Sequence, residues 1–171
     1  VHKTDVGGVR LGLRDRAELR SAYDAVTGAT GDRTVVVQSM APRGVELVVG
    51  LNRDELFGPV LMAGSGGVLT DVLADRRWRG LPLTDQDATE MLRSLKCAPL
   101  LAGYRGQPPV DEPAVLDIVH RVARLAEQVP EVAELDINPL IAAPGGAYAV
   151  DVKLRLTPAL PATDPYARRL R

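Results

Sequence analysis

Glu134-Leu135-Asp136-Ile137-Asn138-Pro139-Leu140, followed beyond a Pro144-Gly145-Gly146 turn by Ala147-Tyr148-Ala149-Val150-Asp151-Val152-Lys153, reads as two neighbouring strands. Asn138 and Asp151 are the oxygen donors carried on these otherwise apolar segments. Mg²⁺ prefers six oxygens in octahedral array and takes one or two carboxylates, leaving its other positions to water and phosphate. A hairpin offering one amide and one carboxylate therefore fits half of a metal–nucleotide site. The plain alternative is a polar hairpin whose Asp and Asn make turns and edges.

Upstream of this hairpin the pattern changes to helical. Asp111 caps a segment with Pro113 in its first turn and Val115, Ile118, Val119, Val122, Leu125 and Ala126 on one face, ending at Pro130. Thr84 caps another with a stripe of Ala88, Met91, Leu92 and Leu95. Earlier still, residues 34–40 and 45–51 are β-branched and apolar around Pro42-Arg43-Gly44, which predicts an antiparallel hairpin. Residues 59–63 and 68–73 read as strand on either side of Gly64-Ser65-Gly66-Gly67. Asp15 with Glu18 resembles a capping box, so residues 15–27 are expected as a helix ending before Gly28, preceded by a strand over 9–13. Short turns between strands, with helices grouped apart, predict an α+β architecture: an antiparallel-rich sheet with helices on one side.

Composition narrows the function. Lys plus Arg number 21 against 22 Asp plus Glu, for a net charge of −1, which argues against a broad nucleic-acid surface. No apolar run approaches a membrane span. Cys97 is the lone cysteine, with no partner for a disulfide or a CxxC metal site, and is expected as a small, partly buried thiol. A cytoplasmic location is the expectation. Val1-His2-Lys3-Thr4-Asp5 lacks a starting Met and reads as the interior of a longer polypeptide.

Further residue groups carry chemistry. Gly64-Ser65-Gly66-Gly67 suits either backbone approach to a phosphate or a turn or bulge between strands. Asp75-Arg76-Arg77-Trp78-Arg79 gathers three guanidinium groups nearby, suited to phosphate or to solvent. His2 is either a phosphoryl acceptor or an exposed terminal side chain, and His120, at the edge of an apolar stripe, reads as structural. Residues 35–40, with Glu46 on the next strand, could offer backbone groups to a flat base.

In order, these segments resemble the ATP-grasp domain of NDP-forming acyl-CoA synthetases, a family that includes ADP-forming acetyl-CoA synthetase and is related to the β subunit of succinyl-CoA synthetase. The similarity spans nearly all of 1–156. It rests on His2-Lys3-Thr4-Asp5-Val6-Gly7-Gly8-Val9, Val37-Gln38-Ser39-Met40 with Gly44-Val45-Glu46-Leu47, Phe57-Gly58-Pro59, Gly64-Ser65-Gly66-Gly67, Asp75 through Pro82, Gly103-Tyr104-Arg105-Gly106 and Glu134 through Leu140. The resemblance implies a partial ATP-grasp fold over 1–156, mostly its C-terminal lobe, and a loose tail over 157–171. It implies the reaction acyl-CoA + ADP + phosphate to acid + CoA + ATP, passing through acyl phosphate and phosphohistidine. By position, Asn138 and Asp151 would hold Mg²⁺; Gln38, Ser39, Met40 and Glu46 would border ATP or ADP; Arg79 would contact phosphate; and His2 would relay the phosphoryl group.

Two departures stand against the family pattern. Asp71 takes the place of a glutamate, and Ser65 that of an apolar residue. The implied ATP-binding lysine of the N-terminal half-clamp is absent from this chain, as are CoA-binding and ligase domains, so these domains are the expected partners in an oligomeric enzyme. The other implied reading is a non-catalytic, regulatory synthetase-like module of a protein N-acetyltransferase.

Overall fold

The computed structural model describes residues 6–67 and 74–158. The expectations for His2, Asp71, the strand over 68–73 and the tail from 159 onward lie outside the described residues. The chain divides into two compact units, Val1–Ala41 and Pro42–Arg171.

Among its described residues the first unit contains one helix, α1 (Arg16–Thr30). Asp15 caps it by accepting the Glu18 N–H at 2.9 Å, and the Glu18 carboxylate reaches back to the Arg14 N–H at 2.8 Å, one residue before the cap. The helix runs through Gly28 and stops at Gly31, three residues beyond the expected end. Gly31 adopts φ 73° and donates to the Thr27 carbonyl, a left-handed stop that an L side chain resists. Residues 9–13 and 34–40, both expected as strands, have no strand structure.

The second unit is a single antiparallel sheet with helices on one side, as the sequence predicts. Its strands are β1 (Val45–Asp54), β2 (Gly58–Ser65), β3 (Arg76–Gly80), β4 (Val132–Ala143), β5 (Gly146–Ala149) and β6 (Val152–Leu156). The order is β3-β2-β1-β4-β5, and β6 pairs β4 beyond β5. β1 therefore has both edges occupied, by β2 and β4. The expected hairpin with residues 34–40 does not form, and both edges of β1 are taken.

Between β3 and β4 come α2 (Asp85–Arg93), the short α3 (Ala98–Leu101) and α4 (Glu112–Gln128). Thr84 and Asp87 close a reciprocal capping box on α2, and the Asp111 carboxylate caps α4 through the Ala114 N–H. The predicted stripes become the core: Ala88, Met91 and Leu92 from α2, and Val115, Val119, Val122 and Ala126 from α4, pack on Leu47, Val49, Leu51, Leu61, Ile137 and Leu140. Arg53 ties the sheet to the end of α4 by donating to the Ala126 carbonyl at 2.6 Å and the Val132 carbonyl at 2.7 Å. Thr157, first residue of the expected tail, is held by its N–H on the Glu131 carbonyl at 2.8 Å.

The described helices of the second unit pack on the core face of its sheet, and Glu46, Glu134, Asp136 and Asn138 alternate along β1 and β4 with residues of that core.

Candidate functional site

The site is built on the ribbon of β4 with β5 and β6. Register is continuous from Ile137 opposite Val152 to Leu140 opposite Ala149. Between these pairs the Asn138 N–H donates to the Asp151 carbonyl at 3.0 Å, and the Val150 N–H to the Pro139 carbonyl at 3.1 Å. Asn138 and Asp151 therefore face each other directly, and residues opposed across antiparallel strands send their side chains to the same side. On the other flank of β4, register with β1 shifts between Leu47 and Val49, so that Ile137 and Leu140 both reach the core. This bulge places Asn138, between them, outside the core: it is exposed, while Asp151 is half-buried.

The same face of the ribbon carries two more opposed pairs, Asp136 with Lys153 and Glu134 with Arg155. The Arg155 guanidinium donates to the Glu134 carboxylate at 2.7 Å, and that bond holds the Glu134 carboxyl below its ordinary range. Sequence reading assigned Lys153 and Asp136 no role. The signal was present, since residues two apart on a strand share a face, but the register between the strands was not.

Glu46 stands on β1 opposite Ile141, next to the core residue Leu47 and so on the side away from the helices. The glycine run packs on it. The Gly66 N–H donates to the Glu46 carbonyl at 2.8 Å, and a Cβ on Gly66 would lie 2.9 Å from the β1 backbone. Gly67, at φ 60°, leaves room for the Glu46 carboxylate, whose Oε2 a Cβ would meet at 2.1 Å. These two glycines allow the protein's own strand to approach.

Arg79 is placed elsewhere. It is opposite Leu61, a core residue, so its side chain lies on the helix side, 3.9 Å from the Asp87 and 3.8 Å from the Glu90 carboxylate of α2. Two strands, β2 and β1, separate it from β4. The structure brings Asn138 and Asp151 together, with Glu46 one strand away, and does not bring Arg79 to them. Gln38, Ser39 and Met40 are exposed residues of the first unit.

Asp75 belongs to the framework. Only 1% exposed, it accepts the Cys97 N–H at 3.1 Å and lies 3.5 Å from the Arg77 guanidinium. Cys97 is buried as well, and burial together with the neighbouring Asp75 charge pushes its thiol up to about 11. Neutral at ordinary pH, it packs as an apolar side chain.

Asn138 and Asp151 fit a magnesium ion by donor chemistry: two hard oxygens on one side of a ribbon. Among the described residues no group of three His, Cys, Asp or Glu side chains could hold a metal. Two protein oxygens would leave the rest of an octahedral shell to water and phosphate. No helix among the described residues is long and apolar enough to cross a membrane.

The chain is similar to known proteins over most of its length. A family model described as an ATP-grasp domain matches residues 1–156. The chain is 39% identical over 163 residues to the β subunit of ADP-forming acetate–CoA ligase I from Pyrococcus furiosus, covering 91% of this chain and 70% of that subunit. It is 38% identical to ADP-forming acetate–CoA ligase I from Archaeoglobus fulgidus, covering 91% of this chain and 24% of that longer protein. Among solved structures, the dinucleotide-forming acetyl-coenzyme A synthetase 1 of Candidatus Korarchaeum cryptofilum superposes with a TM-score of 0.83 at 43% identity, over 92% of this chain and 71% of that one. That structure is a complex with coenzyme A and Mg-AMPPCP, its phosphohistidine segment pointing towards the nucleotide-binding site.

Proposed function

The chain belongs to the ATP-grasp domain family, and from that premise we propose that it is the nucleotide-binding portion of an NDP-forming acyl-CoA synthetase. The single observation that carries this reading is the juxtaposition of Asn138 and Asp151 across the β4–β6 ribbon. These two residues would hold Mg²⁺, and Glu46, with Gln38, Ser39 and Met40, would border the nucleotide, ATP or ADP. The metal, when bound, would neutralise phosphate charge. Arg79 would contact phosphate only by leaving the Asp87 and Glu90 carboxylates. His2 would take the phosphoryl group: its neutral ring nitrogen attacks the terminal phosphorus, the bond to the ADP oxygen breaks, and ADP leaves with that electron pair.

The complete reaction, acyl-CoA + ADP + phosphate to acid + CoA + ATP, needs CoA-binding and ligase domains as partners, in an oligomeric assembly placed in the cytoplasm. Residues 1–156 would form the partial ATP-grasp domain and 157–171 its tail. Relatives of this architecture support the reading: the matched proteins are themselves ADP-forming ligases.

Isothermal titration of Mg-ATP into the full-length protein tests the site. Asp151→Ala is expected to weaken binding by at least roughly tenfold, as removal of even an outer metal-site partner does. Unchanged affinity would remove Asp151 from the site. His2→Ala is expected to abolish acid-labile labelling from radioactive ATP. Persistent labelling with normal turnover would refute the relay, and nucleotide binding without any turnover in the assembled protein would support the regulatory module instead.

A further inference from the structure

We propose that Lys153 is a phosphate-binding residue of the nucleotide site, a role that rests on the reading of Asn138 and Asp151 as the metal-holding pair.

Three opposed pairs line one face of the ribbon, and their states differ. Glu134 and Arg155 are closed at 2.7 Å. Asn138 and Asp151 are the proposed metal pair. Between them stand Asp136 and Lys153, opposed in register. No ion pair or hydrogen bond among the described residues engages the Lys153 ammonium, and the residue is exposed. Of the two cations on this face, Arg155 is thus neutralised by its neighbour and Lys153 is not.

Charge balance makes the open lysine significant. A divalent ion on the Asp151 carboxylate leaves one net positive charge, far less than a nucleoside triphosphate carries. Asp136 adds a negative charge to the same face. The site therefore requires a cation beyond the metal. Arg79 is on the helix side, next to Asp87 and Glu90.

Lys153 meets the requirement by position. It is two residues from Asp151, about 6.8 Å along an antiparallel strand and on the same side. Its four-carbon arm carries a point charge able to reach oxygens of a phosphate held by the neighbouring metal.

The test uses the full-length protein, with Mg-AMPPCP and AMP as probes, in wild type and in Lys153→Met, Lys153→Arg and Asp151→Ala. Lys153→Met is expected to weaken Mg-AMPPCP about tenfold while AMP changes less than about twofold, the loss of one charge-assisted hydrogen bond to the distal phosphates. Lys153→Arg is expected to restore most of the affinity, since it keeps the charge. If Lys153→Met binds Mg-AMPPCP like wild type while Asp151→Ala loses it, the lysine is a bystander and the metal pair stands. Equal loss of both probes in Lys153→Met would show disturbance of the sheet and overturn the phosphate role. If the wild-type protein binds neither probe, the lysine proposal and the nucleotide reading fall together.

Discussion

Residues 35–40, Val-Val-Val-Gln-Ser-Met, and β1, beginning Val-Glu-Leu-Val-Val-Gly-Leu at Val45, are almost interchangeable as sequence, yet they have opposite structures. β1 is a central strand with Val49 fully buried. The earlier segment has no strand structure, and Val36 is 85% exposed. β-propensity expresses how well a side chain fits a pleated, half-buried surface, and is only weakly a property of the backbone itself. β1 finds β2 on one edge, β4 on the other and α4 over one face. Residues 34–40 find no ladder among the described residues. A strand is thus decided by what stands beside it.

Substitutions beside β1 and within residues 34–40 should break the apparent equivalence most visibly. Leu140→Ala, at a fully buried position opposite Leu47, is expected to cost about 2–5 kcal/mol in chemical denaturation of the second unit. A loss well below that would mean the sheet–helix core collapses around the cavity. Gly44→Ala comes next. Its Cβ would meet the Ala142 carbonyl oxygen at 2.2 Å, so the start of β1 and the end of β4 must separate, at about 1–3 kcal/mol. Val36→Ala should change stability by less than about 0.5 kcal/mol, as surface substitutions do. A larger effect in the same denaturation measurement would show that residues 34–40 are packed in solution.

The smallest effect concerns the polar face of the ribbon. Glu134 titrates below its ordinary value because of the Arg155 hydrogen bond. Its folded pKa is depressed, so the associated stabilisation is present above the unfolded value and is lost as pH falls through the folded one. In Arg155→Met, carboxyl NMR titration should find Glu134 moved upward to the ordinary range; an unmoved titration would mean the bond is broken in solution. Cys97 offers a parallel check: with its thiol at about 11, it should resist alkylation at pH 8 until the second unit unfolds.

Much of the fold was legible because the relevant signals are local. Thr84 and Asp111 announced two helix starts, and the 3.6-residue stripes named the faces that form the core. Asn138 and Asp151 were readable as oxygen donors on strands, and the tight turn at Pro144 and Gly145 implied that they were neighbours. The end of α1 was missed because Gly28 is tolerated inside the helix when Gly31, three residues later, supplies the left-handed stop. The side taken by Arg79 was missed because a strand's faces are assigned by its partner: only the pairing with Leu61 puts this side chain next to α2.

By itself the sequence determined which residues could begin helices, which stripes were apolar, and which side chains could bind a hard cation, since these depend on chemistry and spacing along the chain. The tertiary structure alone decided which of two similar β-branched runs became a strand and which lysine lies beside the proposed metal pair. The physical reason is that edge pairing and cross-strand register are set by contacts between residues far apart in the chain, where a shift of one residue sends every side chain to the opposite face.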